Sequence, residues 1–454
     1  MPAVGQAAVN GQVVRNVLDR YFQQIRAAAR KTAAARTAPP PLIPLEMDAK
    51  PAAFTRFTEV TDVGLTQVRP QLYLLDLMRN PGARTTKTVA SLLMIARAAA
   101  HIRRTGERVL LVTPTSGNKG TALRDAVARA YETGLATPDE LRIVMLAPEA
   151  SRSKLRDCPL TAEPSLRIAN PVVVADVDRP GDVKLLSSEV VERSAAEIFD
   201  TTGFRIWYTL DLDNYRIADA VRAFVEAELL PVTEQSAPRL HAHAVSSAFG
   251  LLGYHLGHQL LGDGATGLPS PARHPGFFLV QQLATADMVT SLLGMKVPEY
   301  THDEESGLWR QSTAAEFPAV TDHPQEVIDA TFYTKEPPTR TQVNEIVARH
   351  GGGGVVVSRR ECLDKFEEVR SLAVDAGITI AADPSLIREW SLVKAITGVL
   401  VARERGLIAA DTDVVVHASG YYSDELLAPL RDEHLTRVSA ADDLAKVVLA
   451  AAHA

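Results

Sequence analysis

Short runs of Val, Ile and Leu alternate with longer amphipathic segments along most of the chain. Examples of the runs are RVLLVTP at 108–114, LRIVMLAP at 141–148 and DTDVVVHAS at 411–419, and the segments between such runs carry apolar residues at helical spacing. Strands that alternate with helices form mostly parallel sheets with helices packed on their faces. The alternation therefore predicts an α/β fold.

Some stretches depart from this alternation. Residues 7–36 are rich in Ala and Arg at helical spacing, and TAPPPLIP at 37–44 ends any helix because proline lacks an amide hydrogen. We expect an N-terminal helical arm and linker over residues 1–45. Residues 300–340, rich in Asp, Glu, Pro and Thr, are expected to run over the surface, and residues 434–454 to form a closing helix.

The composition excludes several classes of partner. The 454 residues carry a formal net charge of -7, so the chain lacks the basic field that attracts nucleic acid or an anionic membrane. Its two cysteines, Cys158 and Cys362, lie far apart, which favours a reducing compartment. The first residues lack the pattern of a signal peptide, and no apolar run approaches ~20 residues. We expect a cytoplasmic protein without nucleic-acid or membrane partners.

One lysine stands in an unusual context. The segment NPGARTTKTVASLL at 80–93 places Lys87 between a Pro-Gly turn and an apolar, helix-like run. Most isolated lysines are solvated surface charges. With an ordinary pKa of ~10.4, a lysine is protonated at pH 7, and it becomes a nucleophile only when it is desolvated or lies near other cations. Whether Lys87 does chemistry depends on the other segments.

Three further segments place small residues just after an apolar run. VTPTSGNKGTAL at 112–123 and HAVSSAFGLLGYHLG at 243–257 each end a strand in small residues and then open a helix. That arrangement points free backbone N–H groups at an anion. Ser419 and Gly420 follow a third buried run. Taken singly, each segment is also compatible with an ordinary turn.

In this order, the four segments resemble the pyridoxal-phosphate (PLP) enzymes of the tryptophan-synthase-β class, fold type II, and are most similar to threonine synthase. NPGARTTKT puts Lys87 at the place of that family's Schiff-base lysine, and Thr115–Gly120 match its Thr-Ser-Gly-Asn-Thr-Gly turn. SSAFG at 246–250 stands at its phosphate loop, DLDNYR at 211–216 is similar to its substrate segment, and Ser419 with Gly420 matches its closing turn. The resemblance covers roughly residues 50–425.

The resemblance implies two open, twisted, mostly parallel sheets with flanking helices. It also implies PLP in a cleft between a large domain, residues 46–87 and 206–454, and a small domain, residues 88–205. A homodimer is expected. The predicted catalytic residue is Lys87, and the predicted cofactor-binding residues are Lys87, Asn118, Ser246, Ser247, Ala248, Phe249, Gly250 and Ser419. The predicted substrate-binding residues are Thr115, Ser116, Gly117, Arg84, Lys119 and Arg216.

The resemblance also implies roles for these residues. Lys87, once displaced by the substrate amino group, becomes the general base at the substrate Cα. Asn118 would hydrogen-bond the cofactor ring hydroxyl, and Thr115–Gly117 would hold the substrate carboxylate. Ser419 would meet the pyridine nitrogen. A neutral hydroxyl there does not hold that nitrogen protonated, which in the family favours elimination and replacement.

The chain departs from the family pattern in several places. RTTKT replaces Ser-Phe-Lys-Asp, Lys119 stands where a small hydroxyl residue is usual, Phe249 interrupts the phosphate loop, and Asp213 replaces a substrate-phosphate-binding asparagine. The substrate therefore need not be phosphohomoserine. Arg84, Lys119 and Arg216 could supply cations for another anionic group, because an arginine fork binds carboxylate, phosphate or sulfate.

These observations predict β- or γ-elimination or replacement on an amino acid with an anionic or activated side chain. Two alternatives stay open, a PLP-dependent serine/threonine dehydratase or racemase, and a degenerate homologue that binds a ligand without turnover. The histidines His241, His243, His255 and His258 are close in sequence, but no carboxylate motif completes a metal site, so no metal is predicted. GGGG at 351–354 is interpreted as a helix-to-strand turn.

Overall fold

The computed structural model describes residues 11–329 and 336–454. Its strands, in chain order, are β1 Gln12–Val14, β2 Val63–Arg69, β3 Leu72–Asp76, β4 Arg108–Pro114, β5 Leu141–Pro148, β6 Val172–Ala175, β7 Phe204–Tyr208, β8 Arg239–Ala244, β9 Gly276–Gln282, β10 Thr301–Asp303, β11 Leu308–Arg310, β12 Val320–Thr321, β13 Gly352–Val357, β14 Ile387–Glu389, β15 Asp413–Ala418, β16 Tyr422–Ser423 and β17 Leu435–Val438. Its helices are α1 Val17–Arg20, α2 Phe22–Ala35, α3 Phe54–Phe57, α4 Lys87–Thr105, α5 Asn118–Thr133, α6 Pro164–Ala169, α7 Val183–Thr202, α8 Asp213–Asp219, α9 Val221–Leu229, α10 Phe249–Gly262, α11 Asp287–Leu293, α12 Arg340–His350, α13 Arg359–Asp364, α14 Phe366–Asp375, α15 Ser391–Glu404 and α16 Ala441–His453.

The larger sheet has the strand order β1-β2-β3-β15-β8-β9-β13. The strands from β3 to β13 pair in parallel, while β1 and β2 extend one side in antiparallel fashion. The parallel strands are covered by helices, and β3 and β15 are buried at every position. The order places β15 between β3 and β8, so the loops that follow these three strands lie side by side.

The smaller sheet has the order β17-β6-β5-β4-β7, and all its strands are parallel. The C-terminal strand β17 supplies one edge, and Leu444 and Val448 of α16 pack with Val190 and Ile198 of α7 in the same apolar cluster. The expected closing helix is therefore present, but it covers the smaller sheet. This corrects the sequence-based division, which assigned residues 434–454 to the large domain; the other boundaries remain a prediction.

The α/β class and the two mostly parallel sheets predicted from the sequence are confirmed. Part of the predicted arm, residues 1–10, lies outside the described residues. Residues 12–14 form an edge strand rather than a helix, because their backbone pairs with β2. The predicted surface stretch contains the small antiparallel sheet β10-β11-β12. Within residues 11–329 and 336–454, none of the helices has the length and apolar character needed to span a bilayer.

A buried arginine ties the arm to the body of the protein. Arg97 of α4 is 2% exposed. Its guanidinium donates to the carbonyl oxygens of Ile43 and Pro44, both at 2.8 Å, and to the side chain of Asn214. Its Cζ also lies 5.6 Å from the ring centroid of Trp207. The linker after α2, helix α4 and helix α8 thus meet at one side chain.

We expect Arg97→Met to lower the free energy of unfolding by about 2–4 kcal/mol, because it leaves the buried acceptors at Ile43 and Asn214 without their donor and removes the bond to Pro44. Urea unfolding followed by circular dichroism measures the change. The matched control is Arg104→Met, an exposed position on the same helix, which should change stability by less than about 0.5 kcal/mol. Equal losses in the two variants would contradict the assignment.

Candidate active site

A cavity of about 370 Å³ opens at the carboxyl ends of strands from both sheets. The loops after β3, β15 and β8 contribute Lys87, Ser419 and Ser246, and the loop after β4 of the other sheet contributes Thr115. Ligands bind at this edge of parallel α/β sheets because the loops after adjacent strands converge there. The predicted site residues that line the cavity are Lys87, Thr115, Ser116, Asn118, Lys119, Ser246, Ser247, Ala248, Phe249, Gly250 and Ser419.

Lys87 is the first residue of α4 and presents its amine to the cavity. The Nζ atom lies 4.8 Å from the ring centroid of Tyr215 and makes no hydrogen bond or ion pair with any residue in 11–329 or 336–454. Burial lowers the pKa of Lys87, with Arg222 acting in the same direction against the opposing charges of Asp219 and Glu389. The structure thus provides an amine whose proton is held weakly, as nucleophilic and basic lysines require.

The SSAFG segment forms the expected small-residue turn. Ala248 adopts a left-handed conformation with φ of 51° and precedes α10, whose 14 residues begin at Phe249. The free N–H groups at the start of this helix make the turn an anion cradle. A Cβ at Gly250 would lie 2.6 Å from Cζ of Arg222, so glycine is required. Phe249 stacks on Tyr215, with ring centroids 5.9 Å apart, and so supports the aromatic ring beside Lys87.

Arg222, which sequence analysis missed, connects the loops around the cavity. Its guanidinium donates to Asp219 Oδ1 and to Thr86 Oγ1, both at 2.7 Å, and lies 3.2 Å from Nδ1 of His417. His417 lies on β15, next to the turn that carries Ser419. A buried guanidinium is tolerated only when its donors are satisfied. Arg222 therefore fixes the start of α4, the cradle and the end of β15 relative to one another.

The TSGNKG turn is held by its own threonine. Thr115 Oγ1 accepts the backbone N–H groups of Gly117 and Gly120, both at 3.0 Å. Gly117 has φ of 126°, and a Cβ there would lie 2.9 Å from Cβ of Lys154. Asn118 is the first residue of α5, and both the nitrogen and the oxygen of its side-chain amide are hydrogen-bonded. Its Nδ2 donates to Glu389 at 2.6 Å, and its Oδ1 accepts from Tyr422 at 2.8 Å.

Glu389 belongs to a buried cluster of charges beside the cavity. Lys154 pairs with Asp329 and Glu389, both at 2.6 Å, and Lys394 lies 3.5 Å from Asp329. Burial alone would raise the pKa of Glu389, but Lys154 and Lys394 hold it well below its usual range. The two carboxylates are thus matched by two ammonium groups. None of these four residues could be selected from the sequence, because Lys154, Asp329 and the pair Glu389 and Lys394 lie on three segments far apart in the chain.

Lys119 is a second amine of the cavity wall. Its Nζ donates to the carbonyl oxygen of Thr209 at 3.0 Å. Burial lowers the pKa of Lys119 to about 7, and the charges of Lys184 and Lys87 act in the same direction. Lys184 also lines the cavity. No carboxylate in the described part of the chain pairs with Lys119. When protonated, its amine would therefore favour an anion in the cavity.

Three predicted residues do not line the cavity, namely Gly117, Arg84 and Arg216. The charge of Arg216 contributes to lowering the pKa of His255, after burial, His350 and His258. The DLDNYR segment has a different local role: Asp211 and Asp213 pair with Arg36, and Asn214 contacts Arg97. Its Tyr215, by contrast, does reach the cavity.

Comparisons with known proteins bear on the fold. The family profile DUF6002, described as a family of unknown function, matches residues 13–452. No curated protein matches the sequence. Threonine synthase from Escherichia coli aligns with a TM-score of 0.54 and 17% identity over 96% of this chain and 90% of that chain. PLP-bound threonine synthase from Brucella melitensis aligns with a TM-score of 0.51 and 14% identity over 96% and 91%. The chain therefore has the tryptophan synthase β-like fold, as predicted.

Lys119 should give a measurable pH dependence of stability. Its pKa is lower in the folded state than the ~10.4 of an unfolded chain, so the unfolded state binds more protons between pH 7 and 10 and stability rises with pH there. We expect Lys119→Met to reduce that rise by about 1–2 kcal/mol. Urea unfolding at pH 7, 8 and 9.5 tests this. Lys446→Met, at an exposed lysine, should leave the rise unchanged.

Proposed function

The chain belongs to DUF6002, a family of unknown function, and we propose that it is a PLP-dependent enzyme acting on an amino acid. The observation that carries the proposal is the pairing, in one cavity, of the Lys87 amine with the anion cradle at Ser246–Gly250. Nucleophilic amines and phosphate cradles each occur separately in many folds. Their joint presence is what a phosphorylated aldehyde needs, because one group holds its phosphate and the other bonds its carbonyl carbon.

The residues of the cavity fit this cofactor. The cradle offers backbone N–H groups at the start of α10 and the hydroxyls of Ser246 and Ser247 to a phosphate. Asn118 is oriented by Glu389 and Tyr422, and its second amide hydrogen is available to a ring hydroxyl. Ser419 would face the ring nitrogen. A volume of about 370 Å³ is within the range of small-ligand sites.

When bound, PLP supplies an electron sink for negative charge at the Cα atom of an amino acid. Lys87 would take the Cα proton and return it, because its amine is desolvated and unpaired within the described residues. Thr115, Ser116 and the backbone at the start of α5 would hold the substrate carboxylate. The neutral hydroxyl of Ser419 favours elimination or replacement of a substituent over transamination.

We infer that the substrate side chain is anionic or carries an activated leaving group. Asp329 and Glu389 pair with Lys154 and Lys394 and not with Lys119. Lys119 is a further amine of the cavity lining. A phosphate, sulfonate or carboxylate on the substrate would complete the charge balance. A panel of O-phospho, O-acetyl, sulfonate and phosphonate amino acids tests the substrate class.

One observation favours a second candidate reaction. Lys119 is an amine that exchanges a proton near neutral pH in the same cavity as Lys87, and racemisation or dehydration needs a second proton-transfer group. Release of a keto acid from serine or threonine without an added nucleophile would favour the dehydratase. Inversion at Cα would favour the racemase. The cytoplasmic location and the homodimer stay predictions from the sequence.

Addition of PLP to the purified protein should produce an absorbance band near the short-wavelength edge of the visible range. Borohydride reduction should then fix PLP covalently to the protein, and peptide mapping should find this label on Lys87. We expect Lys87→Ala to lose the label and at least about a thousandfold in turnover, since the amine both holds the cofactor and moves the proton. Lys119→Ala serves as the control and should keep the label. Labelling of another residue, or of none, would refute the proposal.

Gly250→Ala tests the cradle separately from the amine. The added methyl group would displace the guanidinium of Arg222 from beneath the turn, and we expect at least about tenfold weaker PLP binding. Gly262→Ala lies in the same helix with open space around its Cβ position and should bind PLP normally. Fluorescence titration measures both affinities. An unchanged affinity of Gly250→Ala for PLP would show that the cofactor phosphate does not bind at this turn.

A further inference from the structure

Three histidines meet at the end of the larger sheet that is remote from the cavity. His255 lies on α10, His274 lies just before β9, and His350 is the last residue of α12. One nitrogen atom from each ring lies within 4.8 Å of those of the other two. His274 and His350 precede the first residues of two parallel strands, whereas the cavity lies beyond the last residues of such strands. The cluster is therefore a separate feature.

The hydrogen bonds of the cluster direct ring nitrogens of His255 and His274 at each other. His274 Nδ1 lies 2.7 Å from the carbonyl oxygen of Pro275, to which it must donate, so its Nε2 carries a lone pair. That Nε2 lies 2.8 Å from Nδ1 of His255, and His255 Nε2 lies 3.0 Å from the side-chain nitrogen of Gln259. An ion between the rings would replace the hydrogen bond between His255 and His274, and His255 Nε2 would then donate to the amide oxygen of Gln259. A histidine that donates one N–H to a backbone carbonyl and turns its other nitrogen inward is the usual arrangement around a metal.

The surroundings keep the three imidazoles neutral. Burial lowers the pKa of His255 to about 4 and of His274 to about 2, and it also lowers the pKa of His350. Arg216 and Arg349 act in the same direction on His255, and among residues 11–329 and 336–454 no carboxylate pairs with the three rings. Neutral imidazoles that converge without an acid are suited to a borderline-soft cation.

The neighbouring His258 gives a second indication that this group of histidines is a ligand site. Its ring centroid lies 4.1 Å from that of His274, and its side chain is buried. Its Nε2 has no hydrogen-bond partner within the described residues. A buried polar nitrogen without a partner destabilises the fold, so the histidines of this region are not arranged for their own hydrogen bonding alone. The sequence-based grouping of His241, His243, His255 and His258 missed both His274 and His350.

We propose that His255, His274 and His350 bind a divalent transition metal, Zn²⁺ in the first place. Three histidine nitrogens plus a water are a common coordination set for this ion. The ring of His350 stacks on that of His274, with centroids 3.7 Å apart, and its partial exposure gives the ion access from solvent and lets the ring turn toward it. The inference does not depend on the proposed function.

The metal would join α10 and α12 at a distance from the cavity. α10 begins at the anion cradle, and Thr339, which precedes α12, donates its hydroxyl to the carbonyl oxygen of Ser247. The two helices are thus linked at the cradle by a hydrogen bond and would be linked again by the ion, at His255 in the middle of α10 and at His350, the last residue of α12. A structural ion of this kind stabilises the fold by its binding free energy.

The experiment uses the full chain, purified without a histidine tag and treated with chelator. Isothermal titration with Zn²⁺ should show one saturable site, and Co²⁺ should give a d–d absorption spectrum typical of nitrogen ligands. The melting temperature should rise by several degrees at saturating Zn²⁺. Absence of saturable binding up to about millimolar Zn²⁺, where ΔG is only about -4 kcal/mol, would overturn the proposal.

Two single variants separate a built site from surface binding. His274→Gln and the half-exposed His350→Gln should each weaken Zn²⁺ binding at least tenfold and abolish the Co²⁺ spectrum. His453→Gln, an exposed histidine of α16, is the matched control and should bind as the wild type does. Equal binding in all four proteins would overturn the proposal. PLP absorbance, recorded in parallel, should be unaffected in every variant, so the outcome is distinguishable from failure of the proposed function.

Discussion

The hydrogen bonds of Arg222 are the interaction on which the cavity depends. This one guanidinium reaches Thr86 beside Lys87, His417 on β15 and Asp219 at the end of α8, and it underlies Gly250 of the cradle. Thr86 and Asp219 lie at helix ends and Gly250 lies in the first turn of α10, whereas His417 lies on the central strand β15, so Arg222 ties these helix ends to the sheet. Because a buried guanidinium must keep its donors satisfied, a movement of one segment is opposed by the others.

Charge balance explains why the cavity can keep an unpaired amine. Arg222 is matched by Asp219, and Lys154 and Lys394 are matched by Asp329 and Glu389, so these buried charges are neutral as groups. Lys87 and Lys119 have no such match in the described chain, and burial lowers the pKa of both, with neighbouring cations acting in the same direction. Desolvation is therefore the main reason that these amines hold their protons weakly.

The sequence could predict what is encoded locally. Apolar runs and small-residue turns are short-range signals, so the α/β class and the turns at Thr115 and Ser246 were predictable. Arg222, Glu389 and Lys154 were not, since they reach the cavity only because β15 inserts between β3 and β8 and the two sheets face each other. Arg216 shows the limit of motif matching: it is adjacent to Tyr215 on α8, but successive helical side chains point about 100° apart. Strand β17 was missed because LTRV is short and half polar.

The strand β17 has a consequence for how the molecule can be divided. It covers the outer edge of β6, yet more than 250 residues and four strands of the larger sheet, β8, β9, β13 and β15, separate the two strands along the chain. A fragment that ended after β7, at residue 208, would keep β4 to β7 and leave β6 with a bare row of N–H and C=O groups, which is a template for self-association. The two lobes are interleaved parts of one cooperative unit, and neither can be transplanted as an independent module.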